Sequence, residues 1–185
     1  MSFFSSLRER WLWFWALAVL LAIYATLGSA PAMAAQLSDL DLLDEAFWLG
    51  LYLIPAAILA LGLHARPRGA EIGVALGIVA VYIIAINRLA FFSDERSHMV
   101  EYSMLALFVY HALVERKQIG RLNISPAWIA LAIASIAGIL DEVIQLFLPN
   151  RYFDIRDIGF NVFSALMAIL ASLALEFVQK WRTRK

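Results

Sequence analysis

The chain contains no cysteine. Disulfides, thiolate nucleophiles and cysteine-ligated metals or clusters are excluded, and thiols give no clue to the redox compartment. Charge is also scarce: Asp, Glu, Lys and Arg make up 16% of the 185 residues, and 15 acids balance 15 bases. The bases are scattered, and no stretch is dense enough to form the electrostatic footprint of a nucleic-acid-binding protein, so that partner is set aside. There is no Gly-rich phosphate loop and no G-x-S-x-G nucleophile turn. No internal repeat of the kind that builds many transporters is evident.

What is abundant is apolar. Hydrophobic residues make up 63% of the chain and the mean hydropathy is +0.76, values of an integral membrane protein rather than a soluble domain. Crossing the hydrocarbon core takes about 20 mainly apolar residues. Six segments qualify: 11–30, 47–63, 70–89, 98–114, 127–148 and 158–178. The expected fold class is therefore all-α, a polytopic membrane helical bundle of six transmembrane helices.

An even number of spans places both termini on one side, and the Lys and Arg content of the short connections orients them. Arg8, Arg10, Arg66, Arg68, Arg116, Lys117, Arg121, Lys180, Arg182, Arg184 and Lys185 fall on the side of the termini. Only Arg88, Arg96, Arg151 and Arg156 fall on the other. Both termini are expected in the cytoplasm, with Trp11, Trp13, Trp15 and Trp181 in the inner aromatic belt. Arg8 and Arg10 followed by an apolar run and "SAPAMAAQ" also resemble a signal peptide, but the apolar run is longer than a usual signal core, so an uncleaved first helix is expected. The following "QLSDLDLLDEAF" reads as a short amphipathic surface segment.

Ionisable residues are expensive in a membrane, roughly 2.5 to 3.5 kcal/mol each at the centre of a span on insertion scales. They therefore face the bundle interior or water, usually with a partner. In the fifth segment Gly138, Asp141, Glu142 and Gln145 share one helix face at i, i+3, i+4 and i+7. His98, Glu101 and Tyr102 share a face of the fourth segment, and Asp157, Asn161 and Ser164 share one at the start of the last. With Asn87 and Arg88 at the end of the third, consecutive helices present polar groups at one level, near the outer end. The inner halves of these helices read as almost wholly apolar. His64 and His111 lie near the inner interface and read as incidental, as does Pro55 inside the second segment. Gly73 and Gly77 form a G-x-x-x-G, a candidate helix-packing face.

Two motifs carry a family resemblance. In "DERSHMVEYSML", Asp94, His98, Glu101 and Tyr102 place an acid four residues before a His and an aromatic four after it. In "DEVIQLFLPNRYFDIRDIGFN", Asp141, Glu142, Gln145, Phe147, Pro149, Arg151, Asp157 and Asn161 form a long, specific run. The chain resembles the VanZ-like family of bacterial membrane proteins over about residues 70–178. It departs from the family pattern at Glu95, Arg96, Met99, Ser164 and Ala165. The resemblance implies a four-helix membrane core over residues 70–185, with residues 1–69 as an N-terminal two-helix addition. The family takes its name from a protein associated with low-level resistance to the glycopeptide teicoplanin, and membership implies a site rather than a reaction.

The expected function is an outward-facing polar site in the bacterial cytoplasmic (inner) membrane, binding an anionic lipid headgroup or a lipid-linked cell-wall precursor. Its candidate residues are His98, Glu101, Tyr102, Asp141, Glu142, Gln145, Arg151, Asp157 and Asn161. Arg88, Arg96, Arg151 and Arg156 would meet the negative charge, since guanidinium groups match phosphate and carboxylate geometry. The alternatives are a small accessory subunit of a larger membrane complex, and a hydrolase or transferase using His98 and Glu101 as base and orienting carboxylate, with Asp141 or Glu142 as a second acid or base. Catalysis ranks behind binding because no nucleophile arrangement is evident. His98 and Glu101 with Asp141 or Glu142 would supply an N/O metal set. With only one His in the region, a His98 hydrogen-bonded to Glu101 or Asp141 is expected instead, with no metal and no cofactor.

Overall fold

A computed structural model describes residues 4–62, 69–89, 93–149 and 151–183, with residues 86–89, 93–96 and 183 described by their backbone alone. Among the described residues there are seven α-helices and no strand: α1 (Leu7–Thr26), α2 (Ala30–Asp39), α3 (Leu43–Gly62), α4 (Gly69–Leu89), α5 (Ser93–Gln118), α6 (Pro126–Gln145) and α7 (Ile155–Thr183).

Local chemistry explains several boundaries. Ser6 caps α1 by accepting from the Glu9 amide at 2.9 Å, while the Glu9 carboxylate reaches back to the Ser5 amide, much as in a capping box. Gly120 ends α5 at φ +72, with the Gly120 amide bonded to the Lys117 carbonyl and the Arg121 amide to the Arg116 carbonyl. That pair is a Schellman closure, which needs the left-handed residue that glycine supplies most easily. Ser125 and Pro126 open α6, proline being suited to a first-turn position with no intrahelical donor to lose.

The first expected span is shorter than the sequence suggested. Residues 27–29 break it, Pro31 sits in the first turn of α2, and α2 runs at 81° to α1. The acidic segment read as a short amphipathic surface segment is largely helical, since α2 continues to Asp39 and α3 begins at Leu43, and α2 buries no residue. Asp41, at φ 55, makes the intervening turn, a left-handed conformation that Asp tolerates better than most residues. The fifth expected span ends at Gln145 rather than Leu148, two short turns before Pro149.

Among the described residues three helices, α3, α6 and α7, are long and apolar enough to cross a membrane, and the bent α1–α2 pair makes a fourth when it is counted as one span. The apolar part of α4, Gly69–Ala85, is shorter, and α5 is the polar member of the set. Burial explains why α5 tolerates this. It runs through the centre of the bundle, against α1, α3, α6 and α7, so its polar groups meet protein rather than lipid.

Two apolar clusters flank α5. One joins Ala16 and Ile23 of α1 to Tyr102, Leu105 and Val109 of α5, the alanines of α6, and Ala165 and Ile169 of α7. The other joins Leu51, Ile54 and Ile58 of α3 to Tyr82 of α4, Met99 and Leu107 of α5, and Leu175 of α7. Residues before and after position 69 thus share both clusters. Gly73 and Gly77 have no other part of the chain within 4 Å of where a Cβ would stand, so this G-x-x-x-G packs against nothing within the described chain.

α6 shows the membrane logic most directly. Its buried face is Ala130, Ala134, Ala137, Gly138, Asp141, Glu142 and Gln145, while Trp128, Ile136, Ile139, Leu140 and Val143 are exposed. Apolar residues outward with small and polar residues inward is the arrangement of a helix solvated by lipid.

Candidate functional site

Ion pairs fix which helix ends lie together. Arg116 Nε, near the end of α5, is 2.8 Å from Glu9 Oε1 at the start of α1, and Arg182 Nη1, near the end of α7, is 2.7 Å from Glu71 Oε1 at the start of α4. The Tyr110 hydroxyl of α5 also donates to Glu176 of α7, so the beginning of α1 and the end of α7 share one end of the bundle. The start of α5, the end of α6 and the start of α7 form the other, where the polar residues singled out in the sequence come together.

Asp141, Glu142, Tyr102 and Asn161 are fully buried, and His98 and Gln145 are each 3% exposed. The Tyr102 hydroxyl donates to Asp141 Oδ2 at 2.8 Å. Gln145 Nε2 donates to Asp141 Oδ1 at 3.3 Å and to Glu142 Oε1 at 3.2 Å, tying the two acids of α6 together. Glu142 Oε2 accepts from the Asp154 backbone amide at 3.0 Å, which fastens the α6–α7 connection to the cluster. Asp154 also caps α7, its Oδ1 accepting from the Arg156 amide at 2.8 Å.

His98 lies between two carboxylates. Its Nδ1 is 3.9 Å from Asp141 Oδ2 and its Nε2 is 3.6 Å from Asp157 Oδ2. Both distances exceed a good hydrogen bond, and Nδ1 is buried without a partner, so the expected hydrogen bond from His98 to Glu101 or Asp141 is not formed. Asp157 joins the cluster instead. Its approach depends on tight packing of α6 on α7, because a Cβ built at Gly138 would stand 2.7 Å from the Cβ of Asn161. Both amide atoms of Asn161, one turn along α7 from Asp157, are buried without hydrogen-bond partners.

The remaining candidates are less buried. Glu101 is half-buried on α5 and interacts electrostatically with His98, Asp141 and Arg151. Arg151 is half-buried in the α6–α7 connection, with its Nε buried and unpartnered. Arg156 is exposed. The side chains of Asn87, Arg88, Asp94 and Arg96 lie outside the described residues, as does His64.

A family model described as VanZ/LLP1 matches residues 14–178. The chain belongs to the VanZ/LLP1 family. The match takes in α1 to α3 as well as the helices that carry the two motifs. Searches of curated proteins and of solved structures give no match. The VanZ/LLP1 motif residues of this chain thus gather at the end of the bundle opposite its termini.

Sequence reasoning missed the opposite end. There a cavity of about 750 Å³ is lined by Tyr110, His111, Glu115, Glu176, Gln179 and Lys180 among others. Tyr110 donates to Glu176 at 2.6 Å, and the buried His111 Nε2 has no partner. Tyr110 and His111 stand within an apolar run, and a lone His or Tyr in such a run carries no spacing signal. Tyr24 was missed for the same reason; its hydroxyl donates to the Ala137 carbonyl at 3.0 Å and ties α1 to α6.

Proposed function

We propose that this VanZ/LLP1 protein crosses the bacterial cytoplasmic membrane six times, with both termini in the cytoplasm, and binds the polar, anionic headgroup of an envelope lipid or lipid-linked cell-wall precursor at an outward-facing site. Six of the seven helices, all but α2, serve as the spans in this reading. At about 1.5 Å per residue the 26 residues of α5 reach roughly 39 Å, longer than the ~30 Å hydrocarbon core. The excess of Lys and Arg near the termini supports the orientation.

The observation that carries the binding reading is Arg151. Its guanidinium is half-buried at the mouth of the acidic cluster, and its Nε has no partner, so it is held ready for an external anion. The acids and Gln145 behind it offer acceptors and a donor for headgroup hydroxyls. Purified protein should bind labelled lipid-linked precursor, and Arg151→Ala should weaken that binding about tenfold or more, the loss of a charged hydrogen bond. Unchanged affinity in Arg151→Ala would refute the reading.

One observation favours a second reading, that of an accessory subunit. Gly73 and Gly77 present a bare strip of α4, the kind of surface that lets another membrane helix approach closely. Migration of the gently extracted protein as a larger species on blue-native gels, lost in Gly77→Leu, would support it.

A further inference from the structure

We propose that His98, Glu142 and Asp157 form a binding site for a divalent transition-metal ion at the centre of the polar cluster. One ligand atom from each of these side chains falls within 4.8 Å of the others, a spacing that small side-chain rotations close onto a single ion. They come from α5, α6 and α7, so the set is assembled by packing and has no linear spacing in the sequence.

The surroundings fit this use. In metal sites a ligating His generally turns its second ring nitrogen toward a carboxylate, which fixes the ring and raises its basicity. His98 has that relation: Nε2 faces Asp157 while the buried, unpartnered Nδ1 faces Asp141 at 3.9 Å. Two of the surrounding acids are also held: the ligand Glu142 accepts from Gln145 and from the Asp154 amide, and Asp141, which faces the second ring nitrogen of His98, is fixed by Tyr102 and Gln145. Among the described residues no Arg or Lys lies within ion-pair distance of Asp141, Glu142 or Asp157. Buried acids without such partners are costly, and a divalent cation supplies the compensating charge.

One imidazole nitrogen with two carboxylates suits zinc or manganese better than the all-oxygen preference of magnesium or calcium. On the general order of divalent affinities zinc binds more tightly than manganese. Three protein ligands leave a position open. If the headgroup reading above holds, that position accepts a phosphate oxygen; the cation site itself does not depend on it.

The test uses untagged, full-length protein in detergent, with the metal alone as probe. Equilibrium dialysis followed by elemental analysis should give one Zn²⁺ per chain, with Mn²⁺ weaker and Mg²⁺ weaker still. Asp141→Asn should reduce zinc affinity by roughly 10- to 100-fold, as loss of an outer-shell partner does, and His98→Gln and Asp157→Asn should each reduce it further. Arg151→Ala should leave it unchanged. Absence of zinc binding in the wild-type protein overturns the proposal, as does unchanged affinity in folded His98→Gln and Asp157→Asn. X-ray absorption on the zinc-loaded wild type should show oxygen ligands with one imidazole, and a shell without imidazole overturns the proposal even where the variants fail to fold. Loss of precursor binding in Arg151→Ala with zinc retained separates the two readings, and failure of that variant to affect precursor refutes only the headgroup reading.

Discussion

The two ends of the bundle handle buried charge in opposite ways. At the end bearing the termini, each described carboxylate has a basic or hydroxyl partner on another helix, Glu9 with Arg116, Glu71 with Arg182, Glu115 with Arg8, and Glu176 with Tyr110, although His111 Nε2 and Trp13 Nε1 stay without hydrogen-bond partners. At the other end Asp141 and Glu142 are satisfied by neutral donors, His98 stands between acids without a hydrogen bond at Nδ1, and Asn161 and Arg151 keep unpartnered atoms. The first pattern fastens helices together. The second holds polar groups ready at a cost in stability, as binding sites do.

The largest effect should come from breaking the fastened end. Arg116→Ala leaves buried Glu9 with its Ser5 hydrogen bonds but no countercharge, and should destabilise by about 3 kcal/mol, the low end of the range for breaking a buried pair because Arg116 is 26% exposed. Thermal unfolding in detergent measures this, and adding Glu9→Gln should recover part of the loss if the pair acts as described. Next, Gly138→Ala should cost roughly 1–3 kcal/mol by overpacking against Asn161. It should also lower precursor or metal binding, because it moves Asp157 away from α6.

The sharpest contrast is one of sign. Glu142→Gln removes a buried charge that no Arg or Lys neutralises among the described residues, and should stabilise the protein by about 1 kcal/mol while impairing ligand binding. Glu9→Gln alone should destabilise. If both substitutions lower the unfolding temperature equally, the distinction between the two ends fails. The smallest effect should be that of Tyr110→Phe, about 1 kcal/mol of destabilisation from the lost bond to Glu176, with precursor binding at the far end unchanged.

Much of the polar cluster was legible because membrane helices make polar residues conspicuous. Asp141, Glu142 and Gln145 repeat at helical spacing within an apolar run, and α6 buries that face. His98 and Tyr102 on α5 and Asp157 on α7 were read from the same helical spacing and recur in the family motifs, and the packing brings them to the same place. The ligand-like set of His98, Glu142 and Asp157 was not legible, because the sequence-based set paired His98 with Glu101, its neighbour in the chain. The set that the packing brings within reach of one ion takes its third group from α7 instead. In the acidic segment after the first span, Pro31 in the first turn of α2 and the left-handed Asp41 turn the chain within a few residues, and the short surface segment read there is helical with no buried residue in α2.

The sequence by itself determined that the chain is helical and membrane-like, which residues share a helix face, and where the bases crowd. These follow from hydropathy and a 3.6-residue period, both local properties. Only the tertiary structure decided that α5 is the central helix, that Glu9 meets Arg116 and Glu71 meets Arg182, and that His98 sits between Asp141 and Asp157. Those pairings depend on how the helices rotate about their axes and how closely they approach. Small residues such as Gly138 set that approach, and no periodicity along a single helix encodes it.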